Sequence, residues 1–204
     1  MVLLETQYFP SISWCAAVWN TSVVKLDAAE HYQKGGLRNK CFIAGPNGIQ
    51  RLSIPLLKGK HQQTPIKEVR ISFDEPWQRQ HWRSIQAAYG NAPYFEHYAP
   101  EIERFFVKKW TFLFDLNQEI FSWALVGKMG WKGDFTLESE YIKPGTYTLG
   151  QDFRNGKMAA TPLPYPQVFQ EKHGFLPGLS ILDILFCCGK TGGEVLANTS
   201  IFPN

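Results

Sequence analysis

The densest group of chemically active side chains lies between Asp27 and Lys40. His31 accepts a proton near neutral pH, and Asp27 or Glu30 could orient its ring. These residue types indicate a general base. His81 could act as a second proton carrier if its helix reaches over the same edge of the fold. The alternative for His81 is a surface histidine that only makes helix contacts.

The same segment contains three basic side chains that could hold an anion, namely Lys34, Arg38 and Lys40. Gly35 and Gly36 would let backbone N–H groups approach a phosphate. The alternative is a solvated loop whose charged side chains pair with one another, and residue types alone do not decide between the two.

A second candidate group follows the first apolar segment of the chain. Gln7 could hydrogen-bond a ligand amide or a sugar hydroxyl, and Tyr8 could stack on a ring. Tyr89 and Tyr94 could shape the pocket by stacking and through their hydroxyl groups. The alternative for Gln7 and Tyr8 is an ordinary strand-to-helix turn in which Ser11 caps the helix.

A β-α-β unit would bring these two groups together. Val2–Phe9 predicts a strand, a short helix follows, and Val23–Asp27 predicts a second strand. Strands joined by a helix run parallel, and ligands bind at the carboxyl ends of parallel strands. We therefore predict that the basic segment and the Gln7–Tyr8 corner share one edge of the sheet.

The rest of the chain predicts a hairpin and a helical middle segment. The Asn47–Gly48 step favours a tight turn between two strands, and Ser180 with Asp183 matches a capping box. The predicted elements are a hairpin over 38–55, a polar mobile segment over 58–64, a strand over 66–73, and helices over 74–89, 94–106, 111–129 and 181–188.

Composition indicates one globular α/β domain. The 204 residues are 44% hydrophobic and 19% charged, which excludes disorder as the main state. We predict a mixed β-sheet with a parallel β-α-β start, a β-hairpin and a helical middle segment. The domain spans 1–204, with a helix-rich insertion at about 75–130 and a loop-rich stretch at about 143–166. No internal repeat is visible.

The sequence lacks the features that usually indicate several classes of function. The net charge of +3 argues against a nucleic-acid partner. The sequence lacks G-x-S-x-G, P-loop and G-x-G-x-x-G motifs, and its four cysteines lack metal-site spacing. We find neither a secretory signal nor an apolar stretch that could span a membrane, so we expect a cytoplasmic protein.

Several segments together resemble the WbqC-like protein family in their order and spacing. The departures are Thr6–Gln7 where the family usually has Gln-Pro, and Asn39–Lys40 where it commonly has Asn-Arg. Lysine replaces a planar fork with a point charge there. The segments that carry the resemblance are Gln7–Pro10, Asp27, His31–Lys34, Arg38–Lys40, Leu52–Pro55, Trp77, His81, Tyr89, Ala92–Phe95, Leu116–Asn117 and Phe175–Phe186.

The resemblance implies a role in bacterial surface-polysaccharide (O-antigen-type) biosynthesis, on an amino sugar carried by a nucleotide. We predict an acyl- or aminoacyl-group transferase with an acyl carrier protein or acyl-CoA as co-substrate, and we expect no bound cofactor or metal. The alternative is a non-catalytic protein of the same pathway that binds a glycan or a partner. The candidate catalytic residues are His31, His81 and Asp27. The candidate substrate-binding residues are Gln7, Tyr8, Lys34, Arg38, Asn39, Lys40, Tyr89 and Tyr94.

Overall fold

A computed structural model describes residues 1–57, 64–156 and 158–203. The strands are β1 (Val2–Leu4), β2 (Val23–Asp27), β3 (Lys40–Gly45), β4 (Gly48–Ser53), β5 (Asp134–Glu138), β6 (Gln151–Asp152), β7 (Met158–Thr161) and β8 (Ser200–Pro203). The α-helices are α1 (Ile12–Trp19), α2 (Trp77–Tyr89), α3 (Phe95–Val107), α4 (Leu113–Phe121), α5 (Gln170–His173), α6 (Ile181–Cys188) and α7 (Gly192–Ala197). Within those ranges, no helix is long and apolar enough to cross a membrane.

The main sheet has four parallel strands in the order β5-β2-β1-β6. β1 pairs with β2 so that Val2 lies opposite Val24, and α1 makes the connection between them. β1 and β2 therefore end at the same edge of the sheet, which confirms the predicted parallel β-α-β start.

Antiparallel pairing occurs in two separate two-stranded sheets. β3 and β4 form the predicted hairpin, and β7 pairs with β8. Gly48 has a φ of 101°, a left-handed conformation that the Asn-Gly step supplies without strain. The predicted α/β class, with its β-hairpin and helical middle segment, is confirmed.

The core is built around α1 and α6. All eight residues of α6 are buried, and α1 contacts α6, α7, β7 and β8. Gly192 and Gly193 of α7 allow this close packing, because a Cβ at Gly192 would overlap the Ile184 side chain and one at Gly193 would lie 2.8 Å from the Trp19 ring. α6 and the packed face of α7 are thus part of the core.

The strand predicted over 66–73 is wrong. Ile66–Glu68 forms a 3₁₀ turn, and the following residues make only isolated bridges at Arg70 and Ile71. Ile66 and Val69 are both buried and lie three residues apart, which fits a 3₁₀ turn better than the two-residue repeat of a strand. Most of the predicted mobile segment, residues 58–63, lies outside the described residues.

The predicted helix over 111–129 is divided. α4 passes into a π-helical segment over Ser122–Met129, which ends at Gly130 with a φ of 79°. The stretch predicted as loop-rich at about 143–166 also contains β6 and β7. These strands have two and four residues, too few to show a repeat in the sequence.

Candidate functional site

A cavity of about 350 Å³ lies at the carboxyl ends of β1 and β6. Its polar lining comes from Glu5, Gln7, Ser11, Ser13 and Asn155, and its apolar lining includes Phe42, Phe153 and Met158. Gly35 and Gly36 form another part of the wall. This is the edge at which parallel α/β sheets bind ligands.

The cavity joins the two sequence segments that the β-α-β unit was predicted to bring together. The backbone N–H of Tyr8 donates to the Leu37 carbonyl at 3.1 Å. Gln7 from the first segment and Gly35 and Gly36 from the second line the same cavity. Phe9 has a φ of 37°, a strained conformation for a bulky residue, at the corner between β1 and α1.

Glu5 supplies a buried carboxylate to this cavity. Its side chain accepts from Gln7 Nε2 at 3.1 Å and from the backbone N–H of Asn155 at 3.0 Å. Its residue is only 4% exposed, and no basic side chain in the described residues forms an ion pair with it. Glu5 is not among the residues that the sequence predicts for the site. The available signal was a charged residue directly after the buried positions of β1.

Arg38 and Glu30 form a buried ion pair beside the cavity. Arg38 Nε donates to Glu30 Oε1 at 2.7 Å, and Nη2 donates to Oε2 at 2.5 Å. Nη2 also donates to Asn155 Oδ1 at 2.7 Å. Burial raises the pKa of Glu30 to about 7, against the opposing effect of Arg38, and the carboxylates of Glu5 and Asp27 raise it further.

The remaining nitrogen of this guanidinium, Nη1, is buried and has no hydrogen-bond partner in the described structure. A Cβ at Gly36 would lie 2.8 Å from it. Gly36 lines the cavity, and its lack of a side chain allows the guanidinium to pack this closely against the backbone. Of the three predicted anion-binding side chains, Arg38 is the one that contacts cavity-lining residues, although it does not line the cavity itself.

Asp27 belongs to a second buried ion pair. One of its oxygens pairs with Arg154 Nη1, and the other accepts the Ala29 N–H at 3.1 Å. Arg154 also binds Asp152 through Nε at 2.9 Å and Nη2 at 2.8 Å. One Asp27 oxygen thus links the end of β2 to Arg154 beyond β6, and the other closes a local turn, so both oxygens are engaged without the His31 ring that Asp27 was predicted to orient.

His31, Lys34 and Lys40 do not line the cavity. His31 is exposed, and its ring contacts Tyr141 with centroids 5.9 Å apart. Lys34 is exposed in the loop, and Lys40 is half-buried at the start of β3. The predicted cluster of three basic side chains is not brought together around one anion.

His81 lies in an aromatic part of the core. Its Nδ1 is 3.0 Å from the Tyr8 hydroxyl, and its ring contacts Trp77 and Phe106. Burial lowers the pKa of His81 to about 4, although a backbone hydrogen bond at Ser53 opposes this shift. His81 is therefore neutral at pH 7, and it does not line the cavity.

Like His81, the residues Asn39, Tyr89 and Tyr94 do not line the cavity. Asn39 accepts from the Tyr32 hydroxyl at 2.9 Å and donates to the Ile54 carbonyl at 2.8 Å. The buried Tyr89 hydroxyl accepts the Ala44 N–H at 3.0 Å. Tyr94 is exposed and packs where Gly189 leaves room for its ring. Their substrate-binding role remains a prediction.

The capping box predicted at Ser180 and Asp183 is wrong. Ser180 precedes α6 without a side-chain capping bond, and its backbone N–H donates to the Phe42 carbonyl at 2.8 Å. Asp183 instead accepts from the Tyr165 hydroxyl at 2.6 Å and from Gln167 Nε2 at 3.0 Å. Tertiary partners have replaced the local one, and burial raises the pKa of Asp183.

In the ranges that the structure describes, no three His, Cys, Asp or Glu side chains form a group that could hold a metal ion.

Comparison with curated proteins finds no match, and comparison with solved structures finds none either. The order and spacing of the sequence motifs nevertheless predict that the chain belongs to a known family. The model of the WbqC-like protein family matches residues 6–154, well over half of the chain, and the chain therefore belongs to that family.

Proposed function

We propose that this protein is a transferase that moves an acyl or aminoacyl group onto the amine of a nucleotide-linked amino sugar in bacterial surface-polysaccharide biosynthesis. The observation that carries the proposal is the buried Glu5 carboxylate, which faces the cavity and makes no direct ion pair with a basic side chain of the described residues. A buried carboxylate is stabilised by a cation, and an amino sugar brings one as its ammonium group. The family resemblance supports the pathway.

The reaction requires that the sugar amine lose a proton before it attacks. Glu5 lies in the cavity, whereas His31 and His81 do not line it, so we assign the proton transfer to Glu5. The amine nitrogen forms a bond to the acyl carbon, and the bond from that carbon to the sulfur or oxygen of the activated donor breaks. The nitrogen releases its second proton to solvent as the amide forms, and the proton held by Glu5 passes to the leaving group.

The size and lining of the cavity suit a sugar. Ligand pockets usually enclose about 300–1,000 Å³, and this one lies near the lower end of that range. Ser11, Ser13 and Gln7 offer hydrogen bonds to hydroxyl groups, while Phe42 and Phe153 offer apolar surface to a ring face. The nucleotide would extend beyond the cavity.

Binding of matched nucleotide sugars tests this proposal. We expect the wild-type protein to bind a uridine-diphosphate amino sugar about 10- to 100-fold more tightly than the same sugar with hydroxyl in place of amine, because a hydrogen bond to a charged group contributes about 1.5–3 kcal/mol. Glu5→Gln keeps the shape and removes the charge, so it should abolish this preference. Glu194→Gln makes the same change on the exposed face of α7, so it is the matched control and should retain the preference. Equal binding of the two sugars by the wild type contradicts the proposal.

Transfer itself is measured by mass spectrometry of the nucleotide sugar after incubation with an acyl-coenzyme A or a loaded acyl carrier protein. We expect Glu5→Gln to slow product formation about 100-fold or more, as for loss of a general base. An unchanged rate would remove Glu5 from the chemistry.

A non-catalytic binding protein is the second candidate. Both Glu5 oxygens already accept hydrogen bonds within the protein, which favours a fixed recognition group over a mobile base. This candidate predicts the same amine preference in binding, but no mass change in any donor mixture.

A further inference from the structure

We infer that a surface depression around Tyr141 binds the nucleoside diphosphate half of the nucleotide sugar, with the base on the Tyr141 ring and a phosphate at Lys143. This assignment rests on the proposed function, because it places the part of that substrate that extends beyond the cavity. Glu5 would then hold the amine at one end of the ligand, and Tyr141 would hold the base at the other.

The Tyr141 depression has a volume of about 370 Å³ and lies at the end of β5. Lys25 of β2 and Glu138, the last residue of β5, line it together with residues of the segment 141–149. The strands β5, β2, β1 and β6 are parallel, so their carboxyl ends share one edge of the sheet. The depression and the cavity therefore lie at the same edge.

One arginine side chain links the walls of these two spaces. Arg154 Nη1 donates to the Ile142 carbonyl at 2.9 Å, and Ile142 lines the depression. Asn155, the next residue after Arg154, lines the cavity. The depression and the cavity are therefore neighbours.

The loop that follows β2 forms a second link between them. The His31 ring contacts the Tyr141 ring with centroids 5.9 Å apart, and Gly35 and Gly36 of the same loop line the cavity. A Cβ at Gly35 would meet no atom within 4 Å, so the space over this part of the loop is open. A diphosphate that joins a base in the depression to a sugar in the cavity has room to cross the loop there.

Tyr141 offers an aromatic ring that the core of the protein does not use. The residue is 58% exposed, and Leu149, which lines the same depression, is 66% exposed. Nucleic-acid bases stack on such rings, because every base has a π face and stacking removes apolar surface from water. The depression therefore has a platform for a base.

The charged side chains that line the depression leave one positive charge without a counter-ion. Lys25 and Glu138 form an ion pair at 3.0 Å and so neutralise each other. Lys143 lines the same depression and forms no ion pair within the described residues. The Thr146 N–H donates to the Lys143 carbonyl at 3.1 Å, and this turn fixes the backbone that carries the ammonium group. A phosphate beside Lys143 supplies the missing negative charge.

Coenzyme A contains the same chemical groups, a base and a diphosphate. Its nucleotide is separated from the acyl group by the long pantetheine arm, whereas the diphosphate of a nucleotide sugar is bonded directly to the sugar. A base site next to the sugar cavity therefore suits the nucleotide sugar better than the acyl donor.

Isothermal titration calorimetry with uridine diphosphate, in the absence of sugar and acyl donor, tests the assignment. We expect the wild type to bind one molecule per chain, and Tyr141→Ala to raise the dissociation constant at least about 10-fold, equivalent to about 1.4 kcal/mol. Tyr141→Phe keeps the ring and should bind as the wild type does. Phe202→Ala removes an exposed ring of β8 and is the control that should also bind unchanged. No binding by the wild type, or an equal constant for Tyr141→Ala, overturns the assignment.

Uridine without phosphates tests the role of Lys143. We expect the wild type to bind uridine diphosphate more tightly than uridine. Lys143→Ala should weaken only the binding of uridine diphosphate, by about 2- to 5-fold, as for the loss of an exposed ion pair. Unchanged binding of uridine diphosphate by this variant, or an equal loss for uridine, overturns the assignment of the phosphate.

Coenzyme A is the third probe, and we expect its binding not to depend on Tyr141. Binding of coenzyme A that is as tight as that of uridine diphosphate and is lost in Tyr141→Ala would assign the depression to the acyl donor and overturn the proposal. These titrations involve neither the sugar amine nor Glu5. The nucleotide site can therefore fail while the amine preference of the cavity holds, and the reverse is also possible.

Discussion

The buried pair of Arg38 and Glu30 makes a residue-scale prediction about stability. Arg38→Met leaves the Glu30 carboxylate buried without its counter-ion, which costs about 3–5 kcal/mol in comparable pairs. We expect a loss of that size in the free energy of unfolding, measured by urea denaturation at about pH 9, where Glu30, with its pKa of about 7, is charged beside Arg38. Adding Glu30→Gln to the same chain should recover part of it. A loss below about 1 kcal/mol would show that Glu30 is not held as a charged group.

His81 makes a second prediction, about pH. Its pKa in the folded chain is about 4, below the value of about 6.5 in an unfolded chain. The unfolded state therefore binds more protons between these values, and His81 contributes stability above pH 6.5 that is lost as the pH falls toward 4. Relative to His81→Asn, we expect the wild type to lose up to about 3 kcal/mol between pH 7 and pH 4.

The stability of His81→Asn at each pH must be subtracted from that of the wild type, because protonation of Glu30 changes stability in the opposite direction. Its raised pKa makes the folded chain bind more protons between about 4.5 and 7, so its contribution favours folding at the lower pH. The two effects oppose each other in the raw profile. A difference profile that is flat from pH 7 to 4 would contradict the buried, neutral state of His81.

Residue roles were predictable only where they depend on the strand order. The β-α-β pattern placed Gln7 and the Gly35–Gly36 step at one edge, as found. The pattern could not show that Arg38 would pair with Glu30, since both are polar residues of an irregular loop. Nor could it show that His81 points into the core, because its burial depends on Tyr8 from a distant strand end.

At the scale of elements, α7 makes a prediction about packing. A methyl group on Gly192 would overlap the Ile184 side chain of α6, although alanine favours the helical backbone by about 1 kcal/mol. We expect Gly192→Ala to destabilise the protein by about 1–3 kcal/mol, the range for overpacking. Glu194→Ala in the exposed face of α7 is the control and should change stability little. A stabilised Gly192→Ala variant would mean that α6 and α7 can separate without loss.

Elements were predicted well where their own residues carry the pattern. α2, α3 and α6 show helical spacing, and the hairpin has its Asn-Gly turn, so all four were found near the predicted bounds. β6 has two residues and exists because β1 supplies its hydrogen-bond partners. Such a strand has no signal of its own, and neither does the passage of α4 into a π-helical segment.

In the whole molecule, the residues that match the family model do not include all of the hydrophobic core. The match ends at residue 154, whereas α6 lies entirely in the core. The segment around the start of α6 is hydrogen-bonded to the corner between β1 and α1. The Ile12 N–H donates to the Leu179 carbonyl at 2.9 Å, and the Ile181 N–H donates to the Pro10 carbonyl at 2.8 Å. The corner that carries Gln7 and Ser11 therefore depends on the last fifty residues, which are outside the matched region.

This dependence predicts the result of shortening the chain. A chain that ends at residue 156 loses α6 and exposes the apolar surface of α1, and each buried large aliphatic side chain contributes about 1.5–3 kcal/mol. The sum exceeds the net stability of an ordinary domain, about 5–15 kcal/mol. We expect no cooperative unfolding transition and no near-ultraviolet circular dichroism from that chain. Removal of residues 200–204 alone, which takes away the largely exposed β8, should preserve both signals. A cooperative transition in the chain ending at 156 would show instead that the matched region folds alone, and that α6 and α7 form an addition to a complete domain.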